Sequence, residues 1–313
     1  MPVDVKKDEL YNEDGYTNYL IKELLTYMTD VTNAQRAEII IHALPHIKSY
    51  NNKIVVVKYG GNAMNDDKMV SEVMRDIVLM SLIGIKVVLV HGGGPEISAM
   101  LKKIGKESKF INGLRVTDAE TMEIVKMVLA GKVNNDLISL IGSHGGRAVG
   151  LCGIDANMIM AKQQDPELGF VGEITNVNPK PIFDLLEKGY IPVIAGMGID
   201  ENGTCYNINA DTAASKIAAS LKAESMIAMT NISGILTDKD DPNSLIDTIT
   251  VGRAKTLEKQ GVIAGGMIPK VDCCVEAVEG GVKKVFIIDG QVPHAILIET
   301  LTDEGIGTMF VAG

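Results

Sequence analysis

The sequence contains no tryptophan, and only 4% of its 313 residues are aromatic. Any hydrophobic core must therefore be built from Val, Ile, Leu, Met and Ala. Hydrophobic residues make up 46% of the chain and charged residues 22%, which is ordinary for a soluble globular protein. A chain of this length can form one large domain or two lobes with a sizeable core.

Cysteine is scarce, and targeting signals are missing. The four cysteines, Cys152, Cys205, Cys273 and Cys274, form neither a CxxC motif nor a Cys/His pattern with zinc-ligand spacing. We therefore expect small apolar thiols in a reducing compartment. The first residues are acidic where a signal peptide is basic, and no apolar run approaches the roughly 18 residues of a membrane span. These absences predict a cytoplasmic protein.

An excess of positive charge is also lacking, because the formal net charge is −10. The average field of such a chain repels nucleic acid and anionic membrane surfaces. We therefore expect neither as a partner. A local basic pocket for a phosphate group remains compatible with this charge.

The chain changes character near residue 50. Before it, apolar residues recur at helical spacing over residues 17–28 and 37–47, Thr32 and Gln35 have the spacing of a capping box, and Pro45 predicts a bend. After it, short β-branched runs alternate with amphipathic stretches. This alternation predicts an α/β fold with a mostly parallel sheet between helices. The six predicted strands lie at 54–57, 87–90, 148–152, 191–194, 226–230 and 285–288.

Two glycine-rich loops follow predicted strands, and both are suited to an anion. Lys58 ends the first strand and precedes Gly60 and Gly61, whose backbone N–H groups can approach an anion closely. The sequence HGGGP at 91–95 ends the second strand and opens a helix with proline in its first turn. Neither loop is a Walker A or GxGxxG motif. Taken singly, each is equally compatible with a surface lysine or a tight turn.

Four more segments carry candidate residues at the start of a helix or the end of a strand. Arg115 is a forked donor suited to a carboxylate, and Asp211 opens a predicted helix after Asn207. Lys270 lies in the first turn of another helix, where its charge opposes the helix dipole. Each has an alternative explanation, namely a structural arginine, a helix N-cap or a surface lysine. The segment at 231–236 follows a strand and suits either a nucleotide contact or a plain loop.

Five motifs in one order make the pattern specific: KYGG at 58–61, HGGGPE at 91–96, NGLRVT at 112–117, NINADTAA at 207–214 and GGMIPK at 265–270. Together they resemble the N-acetylglutamate kinases of the amino-acid kinase family. The resemblance implies a three-layer αβα sandwich around a mainly parallel eight-stranded sheet. It further implies an N-terminal kinked-helix extension for oligomerisation (residues 1–50), a lobe for the acetylated amino acid (51–195) and a lobe for ATP (196–313).

The resemblance also implies roles for individual residues. Lys58 and Lys270 would flank the transferring phosphoryl group, and Asp211 would orient both lysines. Substrate contacts are implied for Gly60, Gly61, Gly93, Gly94, Arg115 and Asn207. Nucleotide contacts are implied for Asn231, Ser233, Gly234 and Leu236. Related sequences often have aspartate where this chain has Asn231, so the details of that contact are open.

The implied reaction moves the γ-phosphate of ATP, with Mg²⁺ bound through the nucleotide, onto the γ-carboxylate of N-acetyl-L-glutamate. A carboxylate needs no general base, so we expect His91 to shape its loop rather than to move a proton. Two alternatives remain open on sequence. One is a kinase for acetylaminoadipate or a carrier-bound amino acid, and the other is a non-catalytic regulator that binds a nucleotide or anion.

The two ends of the chain suggest regulation. The resemblance is to the arginine-inhibited type, in which a kinked N-terminal helix links dimers into a hexamer, a trimer of dimers. By position, Glu299 would bind the guanidinium of the L-arginine inhibitor, and Gly305 would offer a carbonyl. Phe286 departs from relatives that carry histidine there.

Overall fold

The computed structural model describes residues 32–60, 66–238 and 240–313. Gly61 and the helical pattern at 17–28 lie outside these residues. The chain divides into two units, residues 1–45 and residues 46–313. In the first unit, helix α1 (Asn33–His42) begins at the predicted capping box: Gln35 N–H donates to Thr32 Oγ1, and Thr32 N–H donates to Gln35 Oε1.

The N-terminal helix is bent, as predicted. The helical run is interrupted at Ala43, two residues before Pro45, and resumes as α2 (Leu44–Tyr50). A proline inside a helix lacks the N–H that would bond to the carbonyl four residues earlier, so an interruption close to Pro45 follows from its ring. Ile39, Ile40 and Ile41 of α1 are each more than 60% exposed.

The second unit is built on the predicted parallel sheet. The strands among the described residues are β1 Ile54–Tyr59, β2 Lys86–His91, β3 Phe110–Ile111, β4 Leu114–Arg115, β5 Ala148–Cys152, β6 Ile159–Gln163, β7 Gly172–Val177, β8 Ile191–Ala195, β9 Met197–Ile199, β10 Cys205–Asn207, β11 Ser225–Thr230, β12 Thr248–Thr250, β13 Lys284–Asp289 and β14 Thr308–Val311. Eight of them form the central sheet in the order β12-β14-β13-β11-β1-β2-β8-β5, and the six from β13 to β5 are mutually parallel.

Helices cover both faces of this sheet, which confirms the three-layer α/β fold. Alternate residues of β1 point to opposite sides: Val55 and Val57 belong to one buried cluster, and Val56 belongs to the other. The remaining helices are α3 Asp67–Leu82, α4 Gly94–Lys103, α5 Ala119–Lys126, α6 Asn134–Ser143, α7 Lys180–Glu187, α8 Ala210–Ser220, α9 Val251–Lys259, α10 Ile268–Glu279 and α11 Ala295–Leu301. Helices α3 to α6 and α11 contribute to the first cluster, and α7 to α10 contribute to the second.

Several short elements were not predicted. A four-stranded sheet has the order β10-β9-β6-β7, and β3 and β4 form a hairpin. A π-helix over Met127–Val133 joins α5 to α6. Strand β14 runs antiparallel to β13, and β12 is parallel to β14. Of the unpredicted strands, all but β6 and β7 have two to four residues and carry too few alternations to be recognised from the sequence.

The burial expected of the scarce cysteines is found for two of the four. All four are free; Cys152 and Cys274 are buried, and Cys205 and Cys273 are partly buried. In the part of the chain that the structure describes, no helix is both long and apolar enough to cross a membrane.

Candidate active site

The carboxyl ends of β1 and β2 open onto a cavity of about 350 Å³. Ligand sites of open α/β sheets are expected at this edge. The structure brings most of the predicted phosphoryl and substrate residues to this one cavity. Those that line it are Lys58, Gly60, Gly93, Gly94, Arg115, Asn207, Asp211 and Lys270.

Two lysines share one carboxylate at the cavity wall. Lys58 Nζ lies 2.9 Å from Asp211 Oδ1, and Lys270 Nζ lies 3.3 Å from Asp211 Oδ2. Lys58 is almost wholly buried, because it lies within the central strand β1. Burial raises the pKa of Asp211, but the positive charges of Lys58 and Lys270 outweigh burial, so its pKa is lowered overall. The carboxylate therefore stays ionised and holds the two ammonium groups.

Asp211 does not cap its helix. The N-cap of α8 is Asn209, whose Oδ1 accepts from the N–H groups of Asp211 and Thr212. This frees the Asp211 carboxylate in the first turn to reach Lys58 on β1 and Lys270 on α10. The unfavourable position of Lys270 in the first turn of its own helix is offset by this partner on a neighbouring helix.

The glycine loop after β2 packs too closely for a side chain at Gly93. A Cβ at Gly93 would lie 2.5 Å from Leu129 Cδ2 and 3.3 Å from Val133 Cγ2, both in the π-helix. Helix α4 then begins at Gly94 with Pro95 in its first turn. The N–H groups at the start of a helix have no intrahelical acceptors and suit an anion. They adjoin the cavity near Lys58.

Arg115 places a buried positive charge in the cavity wall. Its guanidinium donates to Ser108 Oγ at 2.6 Å, Gly94 O at 2.8 Å and Ser98 Oγ at 2.8 Å. Burial lowers the pKa of Arg115. No carboxylate forms an ion pair with Arg115 within residues 32–60, 66–238 and 240–313. A buried guanidinium held only by neutral groups is suited to bind an anionic ligand.

Asn207 is tied to the same part of the wall. Its Nδ2 donates to Thr117 Oγ1 at 3.2 Å, and Thr117 Oγ1 donates to the Arg115 carbonyl at 2.9 Å. The next helix, α5, is capped by Asp118, which accepts from Thr121 N–H. The Asn207 and Arg115 segments therefore hold each other at one end of the cavity.

Known proteins show the same fold and closely related sequences. The sequence model described as "Amino acid kinase family" matches residues 53–289. An acetylglutamate kinase of Moorella thermoacetica is 51% identical over 290 residues, which cover 89% of this chain and 98% of that protein. One of Brachyspira hyodysenteriae is 54% identical over 285 residues, with 90% and 99% coverage. The chain belongs to the amino acid kinase family.

Solved structures agree on the fold. The N-acetylglutamate synthase of Neisseria gonorrhoeae, with coenzyme A and N-acetyl-glutamate, superposes with a TM-score of 0.78 at 24% identity. The match covers 88% of this kinase chain and 63% of that chain. The same protein with coenzyme A and L-arginine gives a TM-score of 0.74 at 23% identity, with coverage of 88% and 65%.

The predicted nucleotide residues of this amino acid kinase do not line the cavity. Asn231, Ser233, Gly234 and Leu236 follow β11, which lies next to β1, so they start from the same edge of the sheet. A hydrogen bond connects their loop to strand β14, since Ile235 N–H donates to the buried Thr308 Oγ1 at 2.8 Å. A nucleotide on this loop would approach the two lysines from the side of β11.

The predicted effector residues form a separate group. The Glu299 carboxylate accepts from Ile306 N–H at 3.0 Å, and a Cβ at Gly305 would lie 3.3 Å from Glu299 Oε1. Burial raises the pKa of Glu299, opposed by the N–H groups of Ile306 and Gly307. Phe286 is buried in β13. Neither Glu299 nor Gly305 lines the cavity.

The motifs did not indicate the apolar residues of the cavity wall. Phe110, Leu114 and Leu129 line the cavity, and the Phe110 ring lies with its centroid 4.8 Å from the Arg115 guanidinium carbon. Phe110 pairs with Arg115 across the short β3–β4 hairpin, so its place near Arg115 has a partial explanation in the local sequence. Leu129 has no local signal, because only the π-helix brings it to Gly93.

His91 is buried and uncharged in this kinase. Burial lowers its pKa to about 4, opposed by a hydrogen bond of Nδ1 to Gly92 O at 2.8 Å. A neutral imidazole bonded to its own loop has the geometry expected of a residue that shapes the loop. Its role in this loop remains a prediction.

This burial predicts a pH dependence of stability. The unfolded chain protonates His91 below about pH 6.5, and the folded chain does so only below about pH 4. Stability supplied by the neutral ring should thus be complete above pH 6.5 and fall by roughly 3 kcal/mol as the pH drops to about 4. Urea unfolding of wild type and His91→Gln should show a difference that shrinks over this range. The exposed control His42→Gln should give a constant difference; a constant difference for His91→Gln would contradict its burial as a neutral ring.

Proposed function

We propose that this enzyme transfers the γ-phosphoryl group of ATP to the side-chain carboxylate of N-acetyl-L-glutamate, giving N-acetyl-L-glutamyl 5-phosphate and ADP. One observation carries the proposal: two lysines bridged by Asp211 share a cavity with a buried arginine that no described carboxylate neutralises. The identity of 51–54% to acetylglutamate kinases, over nearly their whole length, supports this choice of substrate.

The proposed chemistry is a direct in-line transfer. A carboxylate oxygen attacks the γ-phosphorus, the bond from that phosphorus to the bridging oxygen breaks, and ADP leaves with the electron pair. The substrate carboxylate is already ionised at neutral pH, so no general base is required. Lys58, Lys270 and the N–H groups of the glycine loops would stabilise the charge that develops on the phosphoryl oxygens. Arg115 and Asn207 would hold the other end of the acetylated amino acid.

Magnesium would enter with the nucleotide. Of the described residues that line the cavity, Asp211 is the acidic one, and both of its oxygens already face lysines. The donor set therefore fits an ion that is bound mainly by phosphate oxygens. Bound in that way, Mg²⁺ would neutralise charge on the phosphates.

An acceptor comparison tests the proposal. ADP release should be measured with N-acetylglutamate, N-acetylaminoadipate, glutamate and carbamate, with hydroxylamine present to trap an acyl phosphate. We expect N-acetylglutamate to give the highest kcat/KM and a hydroxamate product. A preference for N-acetylaminoadipate would identify that compound as the substrate instead. The absence of turnover with every acceptor would favour a non-catalytic binding protein.

The Arg115 geometry predicts a selective loss of binding. Arg115→Ala should raise KM for N-acetylglutamate by roughly ten- to a hundred-fold, because a charged hydrogen-bond donor to the substrate is lost. KM for ATP should change little, since the predicted nucleotide loop lies beyond β1. Steady-state kinetics with each substrate varied in turn would measure this. A similar rise in both KM values would instead indicate that Arg115 only maintains the fold.

We further propose that L-arginine inhibits the enzyme and that it assembles as a hexamer. The effector site would consist of Glu299, Gly305 and the backbone around Ile306, which together offer a partly buried carboxylate beside main-chain groups. Such a set of acceptors suits a forked cation. The exposed apolar residues of α1 need a cover, and a second copy of the chain would provide one. Deletion of residues 1–45 tests the assembly, because it spares Tyr50, which is buried and bonded to Ser225. The deleted form should be smaller than a hexamer on sedimentation and remain active.

Glu299→Gln is the sharper test of inhibition, because the amide oxygen can still accept from Ile306 N–H while the negative charge is removed. The arginine concentration for half inhibition should rise roughly 5- to 150-fold, with kcat unchanged in the absence of arginine. Glu304→Gln, an exposed carboxylate in the same segment, should respond as wild type does. An unaltered response of Glu299→Gln would exclude Glu299 from the effector site, and a wild-type enzyme indifferent to arginine would end the hypothesis.

A further inference from the structure

A chain of buried hydrogen bonds connects the end of the π-helix to the glycine loop. Asn134 is the first residue of α6, and its N–H donates to Leu129 O, a bond of the π type that spans five residues. The side chain of Asn134 is 4% exposed and lies behind the cavity, next to the fully buried His91. The motifs of the sequence gave no role to Asn134.

The contacts of Asn134 fix the orientation of its amide. Its Nδ2 lies 2.9 Å from Val193 O, and a carbonyl oxygen can only accept, so the atom facing it must be the nitrogen. The Oδ1 atom lies over Gly150, where any Cβ would collide with it. Gly150 and Val193 are partners in the β5–β8 register, so the two strands together form the seat of this amide.

The fixed amide in turn fixes the tautomer of His91. The same Nδ2 lies 3.0 Å from His91 Nε2, and an amide N–H can only donate. Nε2 must therefore be the bare nitrogen, and the proton of the neutral ring is on Nδ1. Nδ1–H then donates to Gly92 O at 2.8 Å. The low pKa of His91 keeps the ring in this neutral form at physiological pH.

The tautomer has a consequence for the loop. Gly92 N–H donates to Tyr59 O at 2.9 Å, and Gly92 C=O is held by the imidazole, so both polar groups of this residue are tied. In a planar trans peptide, the carbonyl of one residue and the N–H of the next point in opposite directions. The imidazole thus turns the Gly93 N–H away from itself. Among the residues that the structure describes, no acceptor receives that N–H.

We infer that Asn134 is a positioning residue, which sets the tautomer of His91 and thereby aims the Gly93 N–H at an anionic group bound in the cavity. The identity of that group as a transferring phosphoryl rests on the proposed function. The imidazole transmits the effect of Asn134 to the orientation of the Gly92–Gly93 peptide, and it exchanges no proton with the substrate. The Gly92 carbonyl favours the same tautomer, because it too can only accept. Without the Asn134 donor it would be the one remaining contact that does so, and any Nε2–H form would face Gly92 O with a lone pair.

The test uses the full chain labelled with ¹⁵N at histidine. The His91 signals are assigned by their loss in His91→Gln, and wild type should show a protonated Nδ1 and a bare Nε2 around neutral pH. In Asn134→Leu, which keeps the branched outline of the side chain but lacks the donor, a share of the Nε2–H tautomer should appear. kcat with N-acetylglutamate should fall by roughly ten- to a hundred-fold, as with other outer partners that orient a histidine.

Ser225→Ala is the matched control, because it also removes a buried polar group. Ser225 lies at the amino end of β11, whereas the cavity lies at the carboxyl ends of the strands. It should leave both kcat and the His91 tautomer as in wild type. A wild-type ring protonated on Nε2 would overturn the inference, as would a folded Asn134→Leu with the kcat of the control. If Asn134→Leu does not fold, the wild-type tautomer decides. That spectrum needs no substrate, so it stands even if the acceptor comparison refutes the proposed function.

Discussion

The Lys58–Asp211–Lys270 bridge is the interaction on which the rest of the site depends. It joins the central strand β1 to the first turns of two helices, α8 and α10, which are 59 residues apart at these positions. Removing charged groups from water is costly unless partners are well placed, and the loss of one partner leaves an uncompensated charge. The bridge therefore ties the positions of three elements together at the carboxyl edge of the sheet.

The positive charges at the cavity outnumber the negative ones. Three cationic side chains, Lys58, Lys270 and Arg115, face the cavity against the single described carboxylate of Asp211, and His91 is neutral. This local positive excess lies in a chain whose net charge is −10. A multiply charged anion would restore the balance in the cavity. Phosphoryl transfer makes use of such an arrangement, because it needs positioned positive charge more than covalent partners.

Much of the fold follows from local sequence, because its long elements carry a strong period. All six predicted strands form the parallel part of the sheet. The reversed strands β12 and β14 were missed because three or four residues cannot show a period. The alternative explanation of Asp211 as a helix N-cap is wrong, because Asn209 holds that position and the Asp211 carboxylate contacts the two lysines.

Part of the candidate site was predictable because charged side chains or glycine-rich loops directly follow predicted strands. Lys58 and Gly93 lie at such positions, whereas Asp211 was indicated by its place at the start of a helix within a family motif. The residues that support them were not, because their partners are distant in the chain: Asn134 acts on a loop 43 residues earlier, and Thr308 bonds to Ile235, 73 residues away. No periodic pattern signals a hydrogen bond of that kind.

The most direct measurement is the turnover of Lys270→Ala against that of Lys216→Ala. Lys216 pairs with Glu276 across the same two helices, α8 and α10, so its loss costs a comparable ion pair without touching the cavity. If Lys270 stabilises the developing charge, its removal should lower kcat by about 10²- to 10³-fold while both KM values change little. Lys216→Ala should keep the kcat of wild type. A Lys270→Ala enzyme with unchanged kcat and only an altered KM would contradict the account.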